Sequence, residues 1–457
     1  MLRLALPLVM AEVGWMFMGV VDTIMVGHLP RPAVTISAVA LGQVLYNTIG
    51  FGIGGVLLGL DTYISQAHGA DQWDEANRWL LHGIALSGLL SAMLMGIVRL
   101  GPRAMVLLPV DREVMGQAIA FLNALNWGTV PLFLYMVFRR YLQAFNHVRP
   151  IAAAVVSANL VNAGLDWLLL FGHRWEIGGH VLAIRAYGVV GSAVSTALAR
   201  VYLAAFVGGA LWWLDRRHNY GLARAERRLD WRRLMRLVAL GAPIGGQFFV
   251  EIAVFAAVTA LIGTLGPVPL AGHEIALNCV SFTFMVPFAI SAAGTVRVGQ
   301  AMGRGSAAEA RVAGWAAILL GGGFMLCMAL LLATEPAMIA RLFTHDTAVV
   351  AAAVPLLMVG GAFQFFDGVQ VTTTGVLRGV GRTKPGLAAH LIGYWVIGLP
   401  VGLWLAFAKS WGAVGLWMGL AVGLLIAALG LMLVWIRTLR LNLEPKTNQV
   451  MVSHENG

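Results

Sequence analysis

The chain has 457 residues, of which 59% are hydrophobic and only 11% are charged. Soluble globular proteins carry about 25% charged residues, so this composition excludes that class, together with disordered chains and small disulfide scaffolds. The net charge of +10 would suggest a nucleic-acid partner in a soluble protein, but most cations here lie in short segments between apolar runs. In a membrane protein that placement reflects topology, and no nucleic-acid partner is expected.

Apolar runs predict twelve membrane-spanning helices, because about 20 apolar residues are enough to cross a bilayer. The runs cover residues 4–27, 36–60, 79–99, 117–138, 151–172, 187–213, 234–263, 271–294, 312–334, 349–374, 386–408 and 412–436. The longest polar stretch between runs divides them into two groups of six. The sequence therefore predicts an all-α membrane protein. Its parts are an N-terminal lobe (1–214), a cytoplasmic basic linker (215–233), a C-terminal lobe (234–437) and a polar tail (438–457).

The two halves of the chain resemble each other at a nearly constant spacing. Leu6-Pro7 has a counterpart in Ala242-Pro243, and Gln66-Ala67-His68-Gly69 has one in Gln300-Ala301-Met302-Gly303. Each half has an even number of crossings, so both halves have the same orientation. This pattern predicts two six-helix lobes related by a pseudo-two-fold axis along the membrane normal, with a site between them.

The loops on the side of the two termini hold most of the arginines and lysines. The positive-inside rule therefore predicts a multi-pass membrane protein with both termini in the cytoplasm. One complete two-lobed unit further predicts a monomer in the lipid bilayer.

Seven acidic residues lie within the apolar runs, where an ionised carboxylate costs several kcal/mol unless it faces a cavity or a partner. They are Glu12, Asp22, Asp61, Asp166, Glu251, Glu274 and Asp367. Asp61 and Glu274 lie near helix ends, where capping or snorkelling explains them. Arg200 is the one arginine expected inside the membrane, so the remaining acids suggest a path for cations.

In the first half, Asn159, Asn162 and Asp166 share one face of the fifth predicted helix. Two interpretations remain open for this face. Its polar side chains could join neighbouring helices, or they could form a hydrogen-bond network with Asp22 around a proton or cation site. The same alternatives, a structural contact or a coupling site, hold for Asp22.

In the second half, a polar stripe follows the tenth predicted helix. Such a stripe would be very costly against lipid, so it must line a cavity or an interface. Its members are Gln364, Asp367, Gln370 and Thr374. Glu251 lies far from either end of the seventh helix, beside Gln247 and Phe248, which excludes snorkelling. We expect Glu251 and Asp367 to bind the cation or proton that drives transport. The expected substrate cavity comprises Gln247, Phe248, Gln364, Gln370, Asn159 and Asn162.

Several chemical signatures are absent from the sequence. It contains no GxxxxGK[ST] loop, no HExxH motif and no Cys/His cluster. We therefore expect no enzyme, no bound cofactor and no resident metal, and an ion gradient as the energy source. His68, His82, His273 and His390 have no ligand partner at helical spacing, and the sequence assigns them no role.

These residues resemble the multidrug and toxic compound extrusion (MATE) family, most closely its NorM branch, over the whole chain. The stretch from Pro7 to Gly27 is similar to the opening motif of the family. Ala67-His68-Gly69-Ala70 and Gln300-Ala301-Met302-Gly303 resemble its short cytoplasmic motif. Asp367-Gly368-Val369-Gln370, continuing to Gly379, is similar to its tenth-helix motif, and Glu251 matches the seventh-helix glutamate of the NorM branch.

The resemblance implies that Asp22 is the carboxylate of the first lobe and that Glu251 and Asp367 are the cation-site carboxylates of the second. Asp166 departs from the NorM pattern, which has asparagine there, whereas other branches have aspartate. Acids are thus present in both lobes, and the lobe that couples transport to the ion gradient is left open.

The expected function is secondary antiport: export of organic cations in exchange for H⁺ or Na⁺. If Na⁺ is the transported ion, it would bind at Glu251 and Asp367. One alternative is a lipid-linked oligosaccharide flippase of the same superfamily, which needs a basic cavity for pyrophosphate. Another is a channel, which needs rings of polar residues at one level. The acidic buried charge favours the antiporter.

Overall fold

A computed structural model describes residues 1–105, 111–177, 180–226 and 228–440. Within these ranges the fold is almost entirely helical. Eleven of the described helices are long and apolar enough to cross a membrane, and a bent pair forms a twelfth span. The predicted all-α membrane fold with twelve spans is therefore confirmed. The predicted polar tail lies, from residue 441 onward, outside the described residues.

The helices follow one another in chain order with short connections. They are α1 (Leu2–Val26), α2 (Pro32–Gly54), α3 (Gly59–Gly69), α4 (Trp73–Met105), α5 (Arg112–Asn126), α6 (Thr129–Ala144), α7 (Arg149–Phe171), α8 (Val189–His218), α9 (Trp231–Gly263), α10 (Pro267–Gly303), α11 (Ala307–Thr334), α12 (Pro336–Arg341), α13 (Thr347–Gly379), α14 (Lys384–His390), α15 (Leu399–Leu403) and α16 (Gly412–Arg440). A short antiparallel hairpin, β1 (His173–Ile177) with β2 (His180–Ile184), connects α7 to α8.

The fourth predicted span is not one helix but two, α5 and α6, which meet at an angle of 49°. Tyr46 and Thr129 share a hydrogen bond of 2.9 Å at the break, and Thr129 donates to Asn126. A side chain at Gly128 would lie 2.9 Å from the Cα of Ala197. The break therefore lets the chain pass close to α8 while its polar groups keep partners.

The eleventh span, from Lys384 to Ala408, contains two π-helical stretches, Leu391–Gly398 and Trp404–Ala408. Pro400 lies between them and has no backbone N–H to donate to the carbonyl of Val396. The widened turns are a local response to that missing bond, and π-turns of this kind are frequent at functional sites.

Two compact units divide the chain. One comprises Met10–Leu60 and Asn77–Val238, and the other comprises Met1–Val9, Asp61–Ala76 and the residues from Ala239 onward. The second unit has an apolar core between α9, α10, α13 and α16, and Trp417 is fully buried there. Trp417 donates to Nδ1 of His273, which is itself bonded to Thr259. The predicted lobe boundaries at the basic linker remain a prediction.

A buried ion pair accounts for one of the seven acids. Arg139 on α6 donates to the Glu12 carboxylate on α1, and both side chains are less than a tenth exposed. Arg140 and Arg378 are also buried. The expectation that Arg200 is the only buried arginine is therefore wrong, because the sequence did not show that α6 and α13 carry their arginines into the protein interior.

We expect Arg139→Gln to lower the free energy of unfolding by about 3–5 kcal/mol, because it leaves the Glu12 carboxylate buried without its partner. Thermal unfolding in detergent measures the change. The matched control is Arg31→Gln, which breaks the exposed pair with Glu113 and should cost about 1 kcal/mol or less. Equal effects of the two substitutions would contradict a structural role for the buried pair.

Candidate functional site

Three helices of one unit bring two acids together in a buried group that we call the Asp22 cluster. It consists of Asp22 from α1, Asp166 and Asn162 from α7, and Ser195 and Thr196 from α8. The Thr196 hydroxyl donates to the Asp22 carboxyl at 3.2 Å, and the Ser195 hydroxyl donates to the Asp166 carboxyl. Asp22 also interacts with the side chains of Asp166 and Asn162.

The Asp22 cluster can hold its carboxyls in either protonation state. Ser195 and Thr196 each have one hydroxyl proton and a second acceptor, the Ser192 carbonyl, at 2.9 Å. A hydroxyl that donates to the Ser192 carbonyl can accept a hydrogen bond from a protonated carboxyl. Asp22 Oδ1 and Asp166 Oδ2 have no hydrogen-bond donor among the described residues. Two adjacent carboxylates repel each other, and a proton shared between them removes that repulsion.

Two further polar side chains of the first half lie near this cluster. Arg200, one turn after Thr196 on α8, donates to the Tyr46 hydroxyl at 2.9 Å and interacts electrostatically with Asp22. Asn159 donates to the carbonyls of Gly14 and of Val155. The amide of Asn159 thus joins α7 to α1, whereas Asn162 lies in the cluster.

The other unit contains a second buried group, which we call the Glu251 cluster. It consists of Glu251 and Gln247 from α9, Asp367 and Gln370 from α13, and His390 from the end of α14. His390 is completely buried and stands at its centre. The His390 Nε2 atom lies 2.8 Å from the Gln370 amide nitrogen, 3.4 Å from that of Gln247 and 3.6 Å from the Glu251 carboxylate. Asp367 lies within electrostatic range of Glu251.

The hydrogen bonds define the tautomer of His390. Its Nδ1 lies 2.8 Å from the Gly386 carbonyl, which only accepts, so Nδ1 carries the proton. Nε2 then has a free lone pair and accepts from the Gln370 amide. No role for His390 was predicted from the sequence, because its partners lie on α9 and α13 and not at helical spacing on its own helix. A histidine within an apolar run was the one signal that could have drawn attention to it.

The polar stripe of α13 serves two purposes. Gln370 and Asp367 belong to the Glu251 cluster. Gln364 donates to the Thr283 hydroxyl on α10 at 2.7 Å, which is a hydrogen bond between helices. Thr374 bonds back to the Gln370 carbonyl. Beside Gln247, Phe248 packs edge-to-face on Phe288 at 6.1 Å, which gives this side of α9 an aromatic contact.

Among the described residues, no three His, Cys, Asp or Glu side chains are arranged to hold a metal ion. Two carboxyls with amide, hydroxyl or imidazole partners, present in each unit, can instead bind and release protons or monovalent cations. A polytopic helical membrane protein with such buried acids belongs to the transporter class.

The family is identified by similarity to known proteins. A family model described as MatE matches residues 7–168 and 243–404, and the chain belongs to this family. The same model matches both halves, which supports the predicted repeat.

Relatives extend over nearly the whole chain. A probable multidrug resistance protein NorM of Mesorhizobium japonicum is 32% identical over 95% of this chain and 93% of its own length. The multidrug resistance protein MdtK of Pectobacterium atrosepticum is 34% identical, over 93% of this chain and 92% of its own. The NorM-like resemblance seen in the sequence is thereby confirmed.

Solved structures of the family have the same fold. The crystal structure of the eukaryotic MATE transporter AtDTX14 matches with a TM-score of 0.85 at 22% identity, covering 96% of this chain and 97% of that one. An outward-facing multidrug resistance MATE transporter of the MOP superfamily matches with a TM-score of 0.84 at 19% identity, covering 96% and 95%. At these identities the likeness establishes the fold.

Proposed function

We propose that this protein is a secondary antiporter of the bacterial inner membrane that exports organic cations in exchange for protons or sodium ions. The observation that carries the proposal is the pair of buried acidic clusters, one in each compact unit, built around Asp22 and Glu251. The names of the relatives, multidrug resistance proteins, support drugs as substrates. The absence of a nucleotide-binding motif in the sequence supports an ion gradient as the energy source.

The mechanism follows from binding linkage. A cationic drug and a coupling ion are attracted to the same buried carboxylates, so each lowers the affinity for the other. A proton or sodium ion that enters from outside neutralises a carboxylate and releases the drug outward. When the ion leaves toward the cytoplasm, the negative charge returns and the next drug binds. No covalent chemistry and no enzyme activity are required.

The roles divide between the clusters. Glu251 and Asp367 attract the cationic drug in the second half, and Gln247 and Phe248 lie beside them. Asp22 and Asp166 form a second place for a proton. Lipophilic cations fit such a site because aromatic rings offer apolar contact and attract positive charge.

A lipid-linked oligosaccharide flippase is disfavoured by the same charges. A pyrophosphate needs unpaired arginines or lysines. The buried Arg139 is neutralised by Glu12, and the two clusters are acidic.

The test is uptake of the fluorescent cation ethidium by purified protein in liposomes, with pH and sodium gradients imposed separately. We expect one of the two gradients to drive ethidium against its own concentration gradient, and that gradient identifies the coupling ion. Liposomes without protein and protein without a gradient are the controls. No ethidium movement under either gradient would overturn the antiporter proposal.

A further inference from the structure

We propose that the coupling proton of the Glu251 cluster is held between Glu251 Oε2 and His390 Nε2, which makes this cluster select protons over sodium ions. The inference rests on the proposed antiport function and adds the identity of the ion and a residue, His390, that positions it.

The first argument is that Nε2 of His390 carries a lone pair and no proton. Because Nδ1 donates to the Gly386 carbonyl, Nε2 can only accept. It lies 3.6 Å from Glu251 Oε2, and two ionised or lone-pair-bearing atoms at that distance gain nothing from each other. One added proton, with a closer approach of the two side chains, turns the contact into a hydrogen bond, so the pair acts as a single proton site.

The second argument is the amide of Gln370, which adjusts to both states. Without the extra proton, the Gln370 amide nitrogen donates to Nε2 at 2.8 Å. The Gln370 Oε1 atom is buried and has no hydrogen-bond partner among the described residues. Rotation of the amide by half a turn presents this oxygen to a proton on Nε2. The cluster is therefore built to satisfy the imidazole with and without the coupling proton.

The third argument concerns sodium. Hard cations bind oxygen ligands. The atom that lies against Glu251 Oε2 is an imidazole nitrogen, His390 Nε2, at 3.6 Å. A metal cation held in this contact would meet a nitrogen on that side in place of an oxygen ligand. A proton needs only the one acceptor that His390 supplies.

The charged and titratable groups around His390 support a one-for-one exchange. Glu251 faces it from α9, Asp367 lies near Glu251 on α13, and the Tyr394 ring lies 5.5 Å away one turn along the same span. One proton on the Glu251–His390 contact removes one negative charge. Its arrival therefore releases one monovalent cation from this cluster, with charge conserved there.

The experiment compares the parent with His390→Asn, which keeps an N–H near the position of Nδ1 and removes Nε2. The probe is tetraphenylphosphonium, and its affinity and the protons displaced per cation bound are measured in weakly buffered detergent solution. In the parent, we expect affinity to fall about tenfold on acidification from pH 8 to pH 6, with about one proton displaced at the cluster. In His390→Asn we expect both effects to be lost, so that the affinity no longer depends on pH between pH 8 and pH 6.

Two variants separate this role from packing. His390→Gln keeps an acceptor near the position of Nε2 and should restore part of the pH dependence. His273→Asn, at a second fully buried histidine bonded to Thr259 and Trp417, should leave the pH dependence unchanged. If His390→Asn does not fold, Gln370→Leu provides the test. The unprotonated imidazole then loses its donor and the protonated one loses its acceptor, so the midpoint pH of cation release should differ from that of the parent, whereas an unchanged midpoint would contradict the role of this contact.

The outcomes distinguish the two proposals. An unchanged pH dependence in folded His390→Asn overturns the role of His390. Tetraphenylphosphonium uptake by the parent that follows a sodium gradient at constant pH overturns proton selectivity, while antiport itself stands. No uptake by the parent under either gradient overturns antiport.

Discussion

Asp367→Asn should reduce gradient-driven drug uptake by about tenfold or more, the size of a typical coupling between two binding events. Asp367 is 5% exposed on α13 and lies within electrostatic range of Glu251. The amide has the same shape as the carboxyl, so packing is preserved while the charge that attracts the cation is removed. Initial rates of ethidium uptake into proteoliposomes, at equal amounts of folded protein, measure the effect.

The matched control is Glu274→Gln on α10, which removes an acid that is exposed near a helix end. We expect it to transport at close to the parent rate. If the double variant Asp367→Asn, Glu251→Gln couples drug movement to the gradient as the parent does, the second cluster is not the coupling site.

The Asp22→Asn variant, measured in the same uptake assay, shows which cluster couples drug movement to the ion gradient. Loss of coupling in Asp22→Asn with retained tetraphenylphosphonium binding would place the proton step at Asp22 and Asp166 and the drug step at Glu251. Loss of both activities only in Asp367→Asn would place both steps in the Glu251 cluster.

Strong local signals allowed most of the fold to be predicted from the sequence. Twelve apolar runs can satisfy their backbone polar groups within lipid only as helices, and all twelve have helical counterparts in the structure. The break at Gly128 was not predicted, because its cause is a contact with α8, a distant part of the chain. The β1–β2 hairpin was also missed, since it is a short connection between two strong helices.

The candidate site was predictable only where a residue conflicts with its surroundings. Asp22, Asp166, Glu251 and Asp367 stood out because a carboxylate within an apolar run is costly. Glu12 stood out for the same reason, yet it pairs with Arg139 across two helices. The free-energy cost of burying a carboxylate therefore indicates that the residue needs a partner. Only the tertiary fold shows which residue that partner is.

The second large effect is expected where the ends of α3 and α10 cross. Gly69 lies against the backbone of Gln300, and Gly303 lies against the backbone of Gln66, so that a Cβ at either glycine would overlap a carbonyl oxygen. These are the two tetrapeptides that the sequence repeat had paired. Gln66 also donates to the Gly379 carbonyl at 3.0 Å, and Thr62 donates to the Arg378 carbonyl at 2.7 Å. The described contact is thus closed by glycines and by hydrogen bonds from side chains of α3 to backbone carbonyls of α13.

We expect Gly303→Val to open this crossing, because backbone atoms cannot move aside as a flexible side chain would. Overpacking costs about 1–3 kcal/mol, which lowers the ratio of closed to open contact by about 5- to 150-fold. If the transport cycle needs this contact to close one side of the protein, Gly303→Val should lose gradient-driven uptake, while tetraphenylphosphonium binding at the Glu251 cluster persists.

The opening can be measured by cysteine labelling. Ser65 is buried against Gly299, and it is replaced by cysteine in a protein whose Cys279 and Cys327 have been removed. A membrane-impermeant maleimide should label this cysteine faster in the Gly303→Val variant. Gly323→Val is the control, since its Cβ meets no atom within 4 Å. If Gly303→Val equals the parent in uptake and in labelling, the contact between α3 and α10 does not control transport. The region that closes the protein on that side would then lie elsewhere in the fold.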